Sequence, residues 1–300
     1  LVEILGGKML IYSIIILGSL GLLYGLGLAF ASKKFHVHVD PKIEQINEAL
    51  PSANCSACAF PGCSAYAEAI VVKGVDINLC APGGDDAIQQ IAGIMGLEAT
   101  SANKKVAVIH CQSGGKDNTF YRYDYQGIQS CKAAIALSDG PNLCKYGCVY
   151  QYDCVRSCKF DAMSVDDNGM IHVDKEKCTG CGACVVACPR DLIELVSDKK
   201  RVHILCTSHD KGAESRKSCG NKTACIACTL CVKKCPKDAI YMDNNLAIID
   251  YDKCVNCGIC ADVCPTSAIF DPLKEVRAQR KAAAAKKKAE AAKKLEAQKE

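Results

Sequence analysis

The 300-residue chain has no tryptophan, and aromatic residues make up only 6% of it. No G-x-G-x-x-G follows an expected strand and no G-x4-G-K-[ST] occurs, which removes the dinucleotide and P-loop phosphate sites. The histidines, His36, His38, His110, His172, His203 and His209, show no ligand-pair or catalytic spacing and read as surface or structural residues. Unbalanced charge is scarce too. Net charge is +4, but the last 27 residues, Lys274–Glu300, hold ten Lys/Arg against four Glu. The tail therefore supplies the whole positive excess, the rest is slightly acidic, and no nucleic-acid partner is expected.

What the chain has is cysteine, 24 of them. That content excludes an ordinary α/β enzyme and leaves a disulfide-rich secreted protein, a multi-zinc protein or a multi-cluster iron–sulfur protein. Ligand groups of four divide the total evenly.

One apolar run stands apart. Residues 9–30 carry no charge, and 22 residues at 1.5 Å each make about 33 Å of helix, enough to span a hydrocarbon core. Ala29-Phe30-Ala31 has the form of a signal cleavage site, but the run exceeds a signal core, so a membrane anchor over 1–32 is expected. Lys33 and Lys34 follow directly, which by the positive-inside rule puts the soluble part in the cytoplasm. Gly18, Gly21 and Gly25 are ordinary membrane glycines or a face for a partner helix.

After the span, Asp40-Pro41 is a helix-start signal, and Ile43, Ile46 and Leu50 place a short amphipathic helix over 41–50. A second helix is expected near 85–98, where Ile88, Ile91 and Met95 share a face, and 100–105 reads as a linker. Beyond it the chain repeats. KKVAVIHC at 104–111 matches KKRVHILC at 199–206. Each is followed by an isolated cysteine, a dense cysteine run and a hairpin, the first with Asn168-Gly169 as a type I′ turn signal. The expected segments are a module at 33–100, two units at 101–200 and 201–272, and a tail at 273–300. The Lys/Ala/Glu tail predicts a solvated helix that joins no core; anionic lipid or an acidic partner is the alternative to plain solvation.

Three stretches obey C-x2-C-x2-C-x3-C-P: Cys178, Cys181, Cys184 and Cys188; Cys225, Cys228, Cys231 and Cys235; Cys254, Cys257, Cys260 and Cys264. In this spacing three thiolates wrap one [4Fe–4S] cubane and the fourth serves its neighbour. A fourth stretch, Cys144, Cys148, Cys154 and Cys158, has wider intervals and Lys159 in place of proline. Crossing the ligands predicts four sets: Cys144, Cys148, Cys154 and Cys188; Cys158, Cys178, Cys181 and Cys184; Cys225, Cys228, Cys231 and Cys264; Cys235, Cys254, Cys257 and Cys260. Cys55, Cys58, Cys63 and Cys80 form a self-contained fifth set, for which spacing alone also allows zinc. Cys111, Cys131, Cys206 and Cys219 remain, either as a sixth cluster between the repeats or as buried thiols. Phe120, Tyr121, Tyr123 and Tyr125 read as packing over a cluster or as a docking patch. No acid–base or nicotinamide site is evident.

The anchor, ANCSACAFPGC with Cys80, and the ferredoxin-like array together resemble the B subunits of Rnf complexes, the ion-translocating ferredoxin:NAD+ oxidoreductases, over residues 1–272. Ser56 and Ala59 stand where glycine is common in that family, and the doubled array looks like its longer form. The resemblance implies an α+β chain with one transmembrane helix, a small helical four-cysteine module, two tandem 2[4Fe–4S] units and a basic helical tail. It implies a subunit on the inner or plasma membrane of a bacterium, without a complete active site of its own, taking electrons from reduced soluble ferredoxin and relaying them to membrane partners. The C-terminal unit is the expected entry and the 55–80 module the expected exit. The alternatives are an iron–sulfur subunit of a hydrogenase or formate dehydrogenase, and a zinc protein.

Overall fold

The computed structural model describes residues 2–34, 40–99 and 104–296; His36, His38 and most of the expected linker lie outside them. Helix α1, Val2–Lys34, takes in the whole apolar run. Among the described residues it is the one helix long and apolar enough to cross a membrane, with mean hydropathy 2.2 over Ile14–Lys34. Leu23 and Leu28 are both 72% exposed within the chain. A helix this apolar, with its described side chains exposed within the chain, needs lipid or other helices around it.

Helix α2, Pro41–Ala49, starts where expected: the Asp40 carboxylate accepts the Lys42 N–H at 2.9 Å, and Pro41 sits where no amide is needed. Its Ile46 packs with Tyr66 and Ile70 of α3, Cys63–Lys73, and with Ile88 and Ile91 of α4, Gly84–Met95. Helix α4 stops earlier than 98 because Gly96 turns left-handed, φ 70°, and caps it. At the edge of this core the Tyr66 hydroxyl donates to the Asp76 carbonyl at 2.8 Å and accepts the Leu79 N–H at 3.1 Å. Those two bonds fix the loop that leads into Cys80.

Two α+β units follow. The first contains β1 (Lys105–Ile109), α5 (Cys131–Ala136), α6 (Asp153–Ser157), β2 (Met163–Val165), β3 (Ile171–Val173), α7 (Ala183–Ala187) and β4 (Ile193–Ser197). The second contains β5 (His203–Ile204), α8 (Gly212–Ser218), α9 (Leu230–Lys233), β6 (Ile240–Asp243), β7 (Leu246–Ile249), α10 (Ile259–Val263) and β8 (Ile269–Phe270). In both, the first strand pairs antiparallel with the last, β1 with β4 and β5 with β8, while the middle strands form a hairpin. Each unit has its own core, one around Val106, Leu192 and Ile193, the other around Val202, Ile240 and Ile269.

The hairpin turns differ from expectation. Asn168 is not left-handed; the Gly169 N–H bonds the Asp166 carbonyl at 2.9 Å and Gly169 alone takes φ 76°, a type I turn with a glycine bulge. The Asp166 carboxylate holds this form by accepting the Asn168 and Met170 N–H groups at 3.0 and 2.7 Å. The type I′ turn is in the second unit, where Asn244 and Asn245 have φ 42° and 68°. His203 is a structural residue, 3% exposed, with Nδ1 2.9 Å from the Tyr251 hydroxyl. Burial pushes its pKa down to about 4, so it is neutral near pH 7.

Among the described residues, helix α11, Lys274–Glu296, gives no side chain to an apolar core, in keeping with its composition. Charge anchors its start instead. Arg277 pairs with Asp271 and, at 2.8 Å, with Asp262, while Arg201 reaches Asp271 at 3.2 Å. The Asp271 side chain is 0% exposed. Burial works against its charge, yet the Leu273 N–H and the two guanidinium groups outweigh that and hold its pKa below the usual range. Removing one partner of a buried pair costs about 3 kcal/mol, so Arg277→Ala is expected to lower amide exchange protection across β5–β8 by about two orders of magnitude. Unchanged protection there would show that the ion pairs do not hold this end of the fold.

Candidate metal centres

The three regular cysteine stretches share one backbone course. The residue two after the first cysteine and the residue after the second are left-handed each time: Gly180 and Gly182 (φ 70° and 78°), Ala227 and Thr229 (55° and 61°), Asn256 and Gly258 (58° and 75°). The third residue past the fourth cysteine is left-handed as well, at Asp191, Asp238 and Ser267. These reversals turn successive thiols toward one centre before the short helix begins. Side chains other than glycine adopt this conformation at a cost of roughly 1 kcal/mol or more, so its recurrence marks a functional loop.

The irregular stretch follows the same course. Tyr150 and Tyr152 have φ 52° and 61°, and Asp161 has φ 50°. Cys148, Gln151, Cys154 and Cys158 therefore occupy the four motif positions, with Gln151 in place of the second cysteine. The structure accordingly groups these thiols differently from the expected sets. The fourth thiol brought to this loop is that of Cys131: the cavity beneath α6 is lined by Cys131, Cys148, Cys154 and Cys188. The agent is Asp153, which accepts the Cys131 N–H at 2.7 Å and the Ser130 hydroxyl at 3.1 Å, pinning the start of α5 to that of α6. Burial and the facing thiols of Cys131 and Cys188 push Cys154 up to about 12. Tyr125 packs over this set beside Ala134, whereas Phe120 and Tyr121 are each 43% exposed.

Cys144 is thereby released to another group. It lines a cavity with Cys111, Cys206 and Cys219, between the two units. Arg190 holds its loop, donating to the carbonyls of Cys144 and Gly147 at 3.3 and 3.1 Å and to those of Lys145 and Asp139. The expected sets for the remaining ferredoxin cysteines are found together. Cys158, Cys178, Cys181 and Cys184 line one cavity, Cys225, Cys228, Cys231 and Cys264 a second, and Cys235, Cys254, Cys257 and Cys260 a third. In the N-terminal module Cys80 faces Cys63, Cys58 and Cys55, and burial raises its pKa. Ser56 and Ala59 hold φ 58° and 66° there without glycine.

The donors suit iron–sulfur clusters. Burial and neighbouring thiols push Cys184 and Cys231 up to about 11 and Cys260 up to about 12, so as bare thiolates they are unstable and call for a cationic core. Tetrahedral zinc would need four sulfurs only about 3.8 Å apart. Among the described residues no group converges closely enough for a single ion, whereas four cysteines surround each of these cavities. Backbone N–H groups point at ligand sulfur, as at Cys178 from Ala107 (3.4 Å) and at Cys235 from Ala239 (3.3 Å). Such bonds stabilise the charge of a thiolate-bound cluster.

Comparison with known proteins agrees. An Fe-S cluster family model (FeS) matches residues 50–82, a 4Fe-4S binding domain residues 171–194 and a 4Fe-4S dicluster domain residues 224–268. The B subunit of the Na(+)-translocating ferredoxin:NAD(+) oxidoreductase complex of Acetobacterium woodii is 46% identical over 79% of this chain and 71% of its own length. Its counterpart in the proton-translocating ferredoxin:NAD(+) oxidoreductase complex of Clostridium ljungdahlii is 39% identical over 79% and 83%. The counterpart in the ion-translocating oxidoreductase complex of Methanosarcina acetivorans is 41% identical over 71% and 80%. The chain belongs to the family of Rnf complex B subunits. As an Rnf B subunit it is an iron–sulfur electron-transfer component of an ion-translocating oxidoreductase complex, associated with a membrane through the helix able to span it.

Sequence reasoning missed Gln151, Asp153 and Arg190. The signal was present: Phe160-Asp161 after Cys158 echoes Arg190-Asp191 and Lys237-Asp238, which fixes the register and leaves Gln151 at a ligand position. Cys131→Ser is accordingly expected to cost the purified protein about four iron per chain. Adding Gln151→Cys to that variant is expected to restore them by completing the regular motif. Full iron in Cys131→Ser, or no recovery in the double variant, would contradict the assigned register.

Proposed function

We propose that the chain is a cytoplasmic electron relay, tethered by its N-terminal helix, that takes electrons from reduced soluble ferredoxin and delivers them to membrane subunits of its complex. A [4Fe–4S] cluster bound by each cysteine set supplies one-electron transfer at low potential. The protein holds it by four thiolates, excludes water and tunes it through N–H···S bonds. The segments that divide this work are the anchor at 1–32, the four-cysteine module at 33–100, the units at 101–200 and 201–272, and the basic tail at 273–300.

The observation that carries this proposal is the interleaving of the sets. Cys154 and Cys158, four residues apart, serve neighbouring sets, as do Cys184 and Cys188, Cys231 and Cys235, and Cys260 and Cys264. Near the other end, Lys159 beside Cys158 donates to the Ala53 carbonyl at 3.5 Å, close to Cys55 of the N-terminal module. These links couple the two sets within each unit and bring the first unit up to the N-terminal module, the end of the relay assigned to the exit.

Entry at the C-terminal unit is supported by exposure and charge. Cys228 is the exposed cysteine of the chain, the other 23 being buried or half-buried. Residues 211–237 carry seven Lys/Arg, namely Lys211, Arg216, Lys217, Lys222, Lys233, Lys234 and Lys237, against one acidic residue, Glu214. Such a rim attracts an acidic donor protein and speeds its encounter. Replacing Lys233, Lys234 and Lys237 together by Glu is expected to raise the KM for reduced ferredoxin by about tenfold at low salt. Iron content and the rate of reduction by dithionite stay unchanged, and the difference shrinks at high salt. An unchanged KM would place the donor elsewhere on the chain.

A further inference from the structure

We infer that Cys111, Cys144, Cys206 and Cys219 hold a sixth [4Fe–4S] cluster, which joins the two ferredoxin units into one continuous series. The inference rests on the proposal that the other sets carry clusters.

The site is built from both units. Strands β1 and β5 each end two residues before a ligand, Ile109 before Cys111 and Ile204 before Cys206. His110 ties the two ends together through Nδ1, 2.7 Å from the Ile204 carbonyl. Cys144 comes from the loop clamped by Arg190, and Cys219 caps the end of α8. The loop after Cys111 is stitched to the second unit: Gln112 donates to the Ser267 carbonyl at 2.7 Å, Thr223 donates to the Gln112 carbonyl at 3.1 Å, and the Asn221 N–H reaches the Ser113 carbonyl at 3.1 Å. Beside Cys219 the chains approach so closely that a Cβ on Gly220 would lie 1.8 Å from the Asn118 carbonyl oxygen. A chance meeting of buried thiols needs none of this.

The sulfurs are also provided for. Cys206 accepts the Ser208 N–H at 3.5 Å and the Cys225 N–H at 3.3 Å; Cys111 accepts the Cys148 N–H at 3.5 Å. Two of those donors belong to ligands of the adjoining sets, Cys148 on one side and Cys225 on the other. The four-thiol site thus has a direct hydrogen-bonded link to a neighbouring ligand in each unit. Without it, the sets of the two units have no shared or adjacent cysteine.

The test compares the full chain, purified without oxygen in detergent, with Cys144→Ser, Cys219→Ser and Cys188→Ser. The readouts are iron and acid-labile sulfide, with low-temperature EPR during stepwise reduction. Wild type is expected to hold about 24 iron, and each variant about four fewer. Cys144→Ser and Cys219→Ser are expected to delete the same EPR component, and Cys188→Ser a different one. Wild type at about 20 iron, with no further loss in Cys144→Ser or Cys219→Ser, would overturn the sixth site and leave the relay standing. So would loss of one shared component in Cys144→Ser and Cys188→Ser. Zinc with little sulfide in wild type would overturn the relay and the sixth site together.

Discussion

A buried thiolate is tolerable only when something cationic shares its charge. This chain sets nearly all of its cysteines in that position. Nine are buried outright and fourteen more half-buried, close to one another and to apolar walls. Burial and mutual repulsion drive the affected groups up, Cys206 to about 12 for instance. The same constraint shapes the backbone. Short helices of four to seven residues, α5 to α10, begin beside the ligand loops, and the hairpins and terminal strand pairs close around them. In both ferredoxin-like units the cysteines are themselves part of the apolar core, which is the arrangement expected where cluster binding and folding are coupled.

Much of this was legible in the sequence because cluster loops impose rigid spacing. The three C-x2-C-x2-C-x3-C-P stretches, the C-terminal crossing and the module at 55–80 all follow from counting. Helix α2 was readable from Asp40 and Pro41, and the repeat from its two basic strand starts. The fourth loop departs from the regular spacing for a physical reason. Gln151 occupies a motif position while Cys144 stands just upstream of Cys148, so counting alone selects a different four from those the structure brings together. A side chain arriving from a separate element, Cys131 on α5, leaves no spacing signal. The register itself is signalled by Phe160-Asp161, and the left-handed residues Tyr150, Tyr152 and Asp161 follow it in the backbone.

Long-range polar anchors were likewise hidden. Arg190 reaches back some forty to fifty residues to hold the Cys144 loop, and Arg277 pins a helix whose composition marks it simply as solvated. The asymmetry of the hairpins has a local cause of the same kind: the Asp166 carboxylate selects a bulged turn in one unit, while two asparagines take the tighter turn in the other. Each unit has thus kept the loop course and altered what secures it. Of the two regrouped thiols, Cys131 stays within the first unit while Cys144 lies where the first unit meets the second.

The account's central claim is that these cysteines carry a series of one-electron centres, fed by a soluble donor. The most direct test is an anaerobic titration of the full chain with reduced ferredoxin, counting electrons accepted per chain while following the loss of iron–sulfur absorbance. The account predicts uptake of about six electrons, one for each four-cysteine set whose potential the donor can reach. A chain that accepts none, with its visible spectrum unchanged, would contradict it.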